Sequence, residues 1–239
     1  IRDRGLPMAE NLYVGGHEVT GFDLNKNVKA SFSTLSEIKS VVKGKDAIIT
    51  MLPSGREVAE VHEKIIPECS KGTVIVDCST VDIKSAHFVA SLATGSDFLS
   101  LDAPVSGGVI GAEEGALTFM VGGDKAGFEM VNPLFDLMGK KAVYCGISGS
   151  GQAAKICNNM ILGVSMIATC EAFALADDLA LDRQKLFDVV STSSGNSWSM
   201  STYCPAPGVG PKSPSDNHYA PGFSAALMLK DLHLSPQAA

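Results

Sequence analysis

Residues 5–23 read GLPMAENLYVGGHEVTGFD, and this stretch carries the clearest indication of the fold. Gly5 opens a helix-forming run, Gly16 precedes a short β-rich run, and Asp23 ends that run, 18 positions after Gly5. A glycine at a helix start lets a pyrophosphate approach the backbone amides, and an acidic residue ending the next strand accepts hydrogen bonds from ribose hydroxyls. The stretch therefore predicts the second half of a dinucleotide-binding unit, with Gly5 and Asp23 as cofactor contacts.

The carboxylate of Asp23 also bears on which dinucleotide is bound. It would repel the 2′-phosphate of NADP, so the sequence favours NAD, although Asp23 could also be an ordinary residue at a strand end. The glycine pattern before Gly5 is incomplete, because Arg2 stands where a second glycine is expected and the first would precede Ile1. Since the first strand of such a unit lies in the centre of the sheet, the pattern predicts that the chain lacks a strand.

The rest of the chain divides into a β-rich part and a helical part. Continuous apolar strand runs between helical runs are typical of a parallel sheet covered on both faces. We predict an α/β protein, with a Rossmann-type doubly wound parallel sheet over residues 1–146 and an all-helical second domain over residues 147–239. The strand candidates are 18–23, 47–52, 73–77, 98–102, 117–121 and 142–144. The helix candidates are 7–14, 58–66, 83–93, 125–138, 152–179 and 183–192, with an irregular loop over 193–222 and a last helix from about Phe223.

Charge and composition favour small-molecule chemistry. The net charge is −7, and no run of Lys or Arg is present, so nothing indicates binding to nucleic acid or to a membrane surface. The six cysteines form no C-x-x-C pair, which predicts reduced, buried thiols and no metal site. The apolar stretch 156–180 is long enough for a membrane span, but the acidic and amide residues within it favour a long buried helix.

A turn over residues 102–108, Asp-Ala-Pro-Val-Ser-Gly-Gly, follows a predicted strand. Its small residues expose backbone amides beside a hydroxyl, so Ser106, Gly107 and Gly108 could bind a substrate carboxylate. A plain tight turn explains the same residues equally well.

Lys155 and Asn159 stand four residues apart near the start of the long predicted helix, so both side chains can reach one ligand. A lysine buried in an apolar stretch needs a partner or a lowered pKa, and a lowered pKa suits a general acid or base. The alternative is that Lys155 extends along the helix surface to water.

Several segments in register resemble the β-hydroxyacid dehydrogenase family over nearly the whole chain. These are residues 5–12, 50–53, 77–80, 102–108, 151–159 and 230–232. The resemblance implies an NAD-dependent dehydrogenase in which Lys155 is the catalytic acid or base. It further implies that Leu52, Pro53, Thr80 and Lys230 contact the cofactor, while Ser106, Gly107, Asn159, Phe223 and Asp231 serve the substrate side.

Residues 191–234 are most similar to the branch of that family that oxidises 3-hydroxyisobutyrate in mitochondrial valine breakdown. This similarity implies a small hydroxyacid substrate and the mitochondrial matrix. It also implies a homodimer or homotetramer if the C-terminal helices are present. Relatives continue beyond residue 239 into helices that complete the substrate domain and the subunit contact, so we expect that part to be missing. Glu57 is a departure from the family pattern, because the family commonly has a polar neutral cofactor contact near this position.

Two other functions stay open on the sequence. One is a related reductase of another short hydroxyacid, of the tartronate semialdehyde or glyoxylate type. The other is a non-catalytic relative, which the altered glycine turn favours and the joint presence of Ser106, Lys155 and Asn159 opposes.

Overall fold

The computed structural model describes residues 4–220 and 222–238. The predictions for Arg2 and for a strand before Gly5 lie outside the described residues. The helices are α1 (Gly5–Val14), α2 (Ile38–Val41), α3 (Gly55–Ile65), α4 (Ile83–Thr94), α5 (Gly108–Glu113), α6 (Lys125–Met138), α7 (Ser150–Asp178), α8 (Arg183–Val190), α9 (Trp198–Ser201) and α10 (Ala225–Ala238). The strands are β1 (Thr20–Gly21), β2 (Ser33–Thr34), β3 (Ala47–Thr50), β4 (Val74–Asp77), β5 (Leu99–Asp102), β6 (Val105–Ser106), β7 (Leu117–Gly123) and β8 (Gly139–Gly146).

The chain forms two compact units, of which the first reaches Lys155 and the second runs from Ile156 to Pro236. The predicted α/β fold, with a Rossmann-like sheet followed by a helical region, is confirmed. The domain boundary that we placed after residue 146 stays a prediction.

The main sheet contains the predicted parallel strands and also antiparallel pairs, which were not predicted. Strands β3, β4 and β5 are parallel neighbours, with Thr50 opposite Asp77 and Asp77 opposite Asp102. Strand β7 is antiparallel to both β5 and β6, and β8 is parallel to β7. The reason lies between β5 and β7, where the chain turns back along the sheet instead of crossing it through a long helix.

Both faces of the central strand β4 are buried, because helices cover the sheet on each side. Val74 and Val76 pack in one core with Met8 of α1 and Phe135 of α6. The intervening Ile75 packs in a second core on the other face, which also contains Val58 of α3 and Val89 of α4. This alternation follows from the two-residue period of a strand and explains why β4 is apolar at successive positions.

The predicted strand over 18–23 is present but short. Only Thr20 and Gly21 are paired, and they form a separate two-stranded parallel sheet with Ser33 and Thr34. Strand β1 is short because its partner, β2, offers only two residues for pairing.

The second unit has a small core of its own. Phe173 of α7 lies in it together with Met200, Cys204, Ala206 and Val209. Residues 193–222, predicted to be an irregular loop, supply most of that core and contain α9.

The expectation that the long apolar helix is buried is wrong for this chain. Within α7, 28% of the most apolar 18-residue window is buried, and Ile161, Val164 and Ile167 are each more than 60% exposed. Among the described residues, α7 is also the one helix whose length and composition would suffice to cross a membrane. Core helices of globular enzymes share that composition, so it carries no assignment to a membrane. Apolar residues occur all around this helix, and the second unit covers only part of its circumference.

The expectation of buried thiols holds for Cys78 and Cys204, whereas Cys157 and Cys170 are exposed. Both exposed cysteines lie on α7, so their exposure has the same cause as that of the apolar residues beside them. All six cysteines are free thiols. Within residues 4–220 and 222–238, no group of three or more His, Cys, Asp or Glu side chains could hold a metal ion.

Candidate active site

The residues predicted to contact the cofactor in the first unit follow the carboxyl ends of neighbouring parallel strands. Leu52 and Pro53 come after β3, and Thr80 comes after β4. The amide of Leu52 donates a hydrogen bond of 2.8 Å to the hydroxyl of Ser79, so the two loops are joined. This edge of an open α/β sheet is where such folds bind nucleotides.

A buried polar network holds these two loops in place. Asp77 Oδ1 accepts hydrogen bonds from the hydroxyls of Ser79 at 2.6 Å and Thr50 at 2.7 Å. Behind them, His62 is fully buried, with Nε2 3.4 Å from Thr50 Oγ1 and Nδ1 2.7 Å from the carbonyl oxygen of Val58. The network explains how a carboxylate that is 3% exposed is accommodated at the strand end.

The start of α1 lies close to the same edge. Gly5 is buried at the first position of α1, and Arg4 precedes it. Burial raises the pKa of the Cys78 thiol just after β4, the charge of Asp77 adds to this effect, and the positive charge of Arg4 opposes it. Met8 of α1 and Cys78 pack in the same core, so the amino-terminal part of α1 lies near the end of β4.

Asp23 comes two residues after β1, and its side chain is half-buried. Its Oδ1 accepts a hydrogen bond of 2.7 Å from the amide of Asn25, which closes a local turn. The position at a strand end agrees with the predicted ribose contact, and the turn agrees with the simpler interpretation of Asp23, so both stay open.

Glu57, the departure from the family pattern, lies in the first turn of α3. Its carboxylate accepts hydrogen bonds from the hydroxyl of Ser54 and from Arg56, which lower its pKa to about 2. The charge that replaces the usual neutral group is therefore compensated by its own neighbours.

The turn predicted to bind a carboxylate links β6 to α5. Gly107 and Gly108 have φ angles of 135° and 68°, which side chains rarely adopt, so glycine is required at both positions. Ser106 ends β6 and is half-buried, and Gly107 is exposed. The tight turn is therefore observed, and the binding of a carboxylate by Ser106 and the two glycine amides stays a prediction.

Lys155 lies in the part of α7 that belongs to the first unit, and it is 5% exposed. The alternative in which its side chain extends along the helix surface to water is therefore wrong. The start of α7 is fixed by Asp102 at the end of β5, which accepts hydrogen bonds from the amides of Gly149 at 2.7 Å and Gln152 at 2.9 Å. The helix that carries Lys155 thus begins at the same sheet edge as Leu52 and Thr80.

In the second unit, three of the predicted residues form one cluster. Asn159 is 1% exposed, and its Nδ2 donates a hydrogen bond of 2.6 Å to Asp231 Oδ2. Asp231 is 4% exposed, and its other oxygen lies 3.1 Å from Lys230 Nζ. The fourth, Phe223, is half-buried and lies just before α10. The roles assigned to these residues stay predictions.

Asp102, Gln152 and Ser79 were not predicted as site residues. The side chains of Asp102 and Gln152 join the strand ends to the start of α7, and the hydroxyl of Ser79 joins the loops after β3 and β4. The available signal was the presence of polar residues inside apolar runs, since buried polar side chains are bonded to particular partners. Their partners in other segments lie 27 to 73 positions away in the chain, which no local pattern reveals.

The described groups fit a dinucleotide. The start of α1 can present backbone amides to phosphates, Asp23 stands at a strand end, and the loops bearing Leu52 and Thr80 lie at the edge where a nicotinamide nucleotide binds in such sheets. These features are those of a dinucleotide-binding protein of the Rossmann type, the class to which many nicotinamide-dependent dehydrogenases belong.

Comparisons with known proteins agree with that class. Residues 4–146 match the family described as the NAD binding domain of 6-phosphogluconate dehydrogenase. Residues 149–239 match the family described as the NAD-binding domain of NADP-dependent 3-hydroxyisobutyrate dehydrogenase.

Individual relatives are similar over almost the whole chain. A structure of Mycobacterium tuberculosis 3-hydroxyisobutyrate dehydrogenase with L-serine matches with a TM-score of 0.94 and 42% identity, covering 99% of this chain and 83% of that one. An NAD-dependent L-serine dehydrogenase of Pseudomonas aeruginosa is 40% identical over 98% of this chain and 82% of its own length. The mitochondrial 3-hydroxyisobutyrate dehydrogenase of Mus musculus is 41% identical over 100% of this chain and 74% of its own length.

The chain belongs to the 3-hydroxyisobutyrate dehydrogenase family. It is an NAD-dependent hydroxyacid dehydrogenase, and NAD is its cofactor.

Proposed function

We propose that this protein oxidises 3-hydroxyisobutyrate to methylmalonate semialdehyde, with Lys155 as the general base. The observation that carries the proposal is the position of Lys155, which is buried near the start of a helix that begins at the cofactor edge of the sheet. A buried amine held at a fixed place is suited to transferring a proton at one defined substrate atom.

The reaction requires two transfers from the substrate. When bound, NAD would supply the acceptor for the hydride from the hydroxyl-bearing carbon. Lys155 Nζ accepts the hydroxyl proton, so that the carbon–oxygen bond becomes a carbonyl, and the reverse reaction returns that proton. The Ser106 hydroxyl and the amides of Gly107 and Gly108 bind the substrate carboxylate. Asn159, one helical turn after Lys155, orients the hydroxyl or the amine.

The test is NADH formation by the purified protein with 3-hydroxyisobutyrate. Replacing Lys155 with Ala should lower kcat/KM by about 10² to 10⁴, the usual contribution of a positioned acid or base, with little change in NAD affinity. Lys125→Ala is the matched control, because Lys125 is a largely exposed lysine on α6. Equal turnover in the two variants would refute the role of Lys155.

L-Serine is a second candidate substrate, and two relatives favour it by name or by bound ligand. It shares the carboxylate and the hydroxyl on the β-carbon, so the same groups of this chain would act on it. Steady-state kcat/KM values compare 3-hydroxyisobutyrate with L-serine in oxidation with NAD. The same measurement compares tartronate semialdehyde with glyoxylate in reduction with NADH. No turnover with any of them, together with no NAD binding, would support the non-catalytic alternative.

The proposal extends to valine catabolism, the mitochondrial matrix and a homo-oligomer. Its support is the mouse relative, which is named as mitochondrial, whereas the bacterial relatives are equally similar. Fractionation of the source cells tests the compartment, and light scattering of the purified chain tests the oligomeric state.

A further inference from the structure

Gln152 is a fully buried residue of α7 whose side chain spans the loop that contains Thr80. Its Nε2 donates a hydrogen bond of 2.8 Å to the carbonyl oxygen of Ser79, and its Oε1 accepts one of 3.1 Å from the amide of Val81. The two bonds hold the peptide groups on either side of Thr80. Thr80 itself is 6% exposed and is the predicted cofactor contact of this loop.

The backbone of Gln152 is fixed as firmly as its side chain. Its amide donates to Asp102 Oδ2 at 2.9 Å, and Gly149 donates to the other oxygen of the same carboxylate. A Cβ on Gly151 would lie 2.5 Å from the carbonyl oxygen of Asp102 and would also collide with that of Met120, so the helix start lies directly against the strands. Gln152 therefore has little freedom to shift relative to β5.

Lys155 follows Gln152 by three residues, which places it within one turn of the same helix. Gln152 thus joins the loop that contains Thr80, a predicted cofactor contact, to the helix that carries Lys155, the proposed general base. A purely structural residue would only need to satisfy the buried peptide groups, and its loss would lower stability alone. A residue that sets the spacing between Thr80 and Lys155 would affect cofactor binding and proton transfer as well.

We propose that Gln152 is a positioning residue that fixes Thr80 relative to Lys155, so that NAD affinity and the chemical step depend on the same side-chain amide. This inference rests on the proposed function of Lys155 and on the predicted contact of Thr80 with the cofactor. Gln152 does not react; it acts through its two hydrogen bonds.

The experiment compares Gln152→Met, which keeps the length and loses both hydrogen bonds, with Thr73→Val. Thr73 is the control, because it is 2% exposed, donates one hydrogen bond to the carbonyl oxygen of Lys45, and lies before β4 at the opposite end of that strand. We measure the NAD dissociation constant without substrate, kcat/KM, the isotope effect with substrate deuterated at the oxidised carbon, and the Tm.

For Gln152→Met we expect NAD binding about 10-fold weaker and kcat/KM about 10²-fold lower, the loss typical of a misplaced reacting group, with a larger isotope effect. Thr73→Val should lower the Tm but keep NAD affinity and kcat/KM within about twofold, since its hydrogen bond lies away from the site. Gln152→Met values that match the control in both NAD affinity and kcat/KM would overturn the proposal.

A second variant covers the case in which Gln152→Met does not fold. Gln152→Glu keeps the shape and the acceptor for Val81 but places an oxygen opposite the carbonyl oxygen of Ser79. It should weaken NAD binding and lower kcat/KM in the same direction, and unchanged values of both in this variant would also overturn the proposal.

Two further comparisons separate this inference from the proposed function. Normal turnover in Lys155→Ala would refute the role of Lys155 as general base. The effect of Gln152→Met on NAD affinity would then still test whether Gln152 positions the loop of Thr80. In a double variant with Thr80→Val, the losses of NAD affinity should be less than additive, because Gln152 acts through that loop. Fully additive losses of NAD affinity would contradict the proposal that Gln152 acts through the loop of Thr80.

Discussion

Asp102 and Gly149 are 47 residues apart in the chain, yet the carboxylate of Asp102 accepts a hydrogen bond of 2.7 Å from the amide of Gly149. The same carboxylate also accepts from Gln152, so two backbone amides at the start of α7 share one buried side chain. An acidic group at a helix amino end is favoured by the helix dipole and by the free amides there. The bond joins the sheet to the helix that carries Lys155.

Asp102 should make the stability of the protein depend on pH. Burial raises the pKa of its carboxyl from 3.8 to about 6, against the lowering effect of the two amides. Because the folded state holds this proton more tightly than the unfolded chain, the free energy of unfolding should fall by about 2 kcal/mol as the pH rises from 4 to 6. Denaturant unfolding measured across this pH range should show that the fall in unfolding free energy is absent in Asp102→Asn. Asp124→Asn, an exposed position, is the control, and an unchanged pH dependence in Asp102→Asn would contradict the assignment.

Gly151 should not tolerate a side chain. A Cβ there would collide with the carbonyl oxygens of Met120 and Asp102, which are parts of the sheet and cannot rotate away. We expect Gly151→Ala to lower the free energy of unfolding by about 3 kcal/mol and to reduce kcat/KM more than the Tm loss alone explains, because α7 must shift. Gly111→Ala is the control, since its nearest neighbour would be 3.5 Å away, and its stability should change by less than about 1 kcal/mol. Equal effects in the two variants would show that the close approach at Gly151 is relaxed in solution.

Asp23 should decide the preference for NAD over NADP. Asp23→Asn removes the charge and keeps an oxygen for the amide of Asn25, so the local turn should persist. We expect the ratio of kcat/KM with NADP to that with NAD to rise about 10-fold or more, because the repulsion of the 2′-phosphate is lost. Glu18→Gln is the control, because it removes a nearby exposed charge whose partner is Lys45. A ratio that does not change in Asp23→Asn would favour the interpretation of Asp23 as an ordinary turn residue.

The main secondary structure could be predicted from local patterns because burial on both faces leaves a local signature. Each of the six predicted strands is found, and β4 is apolar at consecutive positions because Val74 and Ile75 enter different cores. The direction of β7 could not be predicted in this way, since an apolar strand has the same composition in parallel and antiparallel pairs. Its direction depends on the reversal at Gly107 and Gly108.

The exposure of α7 also could not be predicted from the sequence. An exposed apolar helix can have the same composition as a buried one. Ile161, Val164 and Ile167 are exposed and Phe173 is buried because another segment of the second unit covers only Phe173. The same reasoning applies to the exposed Cys157 and the buried Cys204.

The sequence by itself determined the class of fold and was enough to predict NAD as the cofactor, because periodicity, glycine positions and acidic strand ends are local properties. The tertiary structure alone decided that Lys155 is buried and that Asp102 fixes the start of its helix. It also showed that Gln152 links this helix to the loop of Thr80. Hydrogen bonds between segments distant in the chain depend on how the strands and helices pack, and that packing is a property of the whole fold rather than of any one stretch.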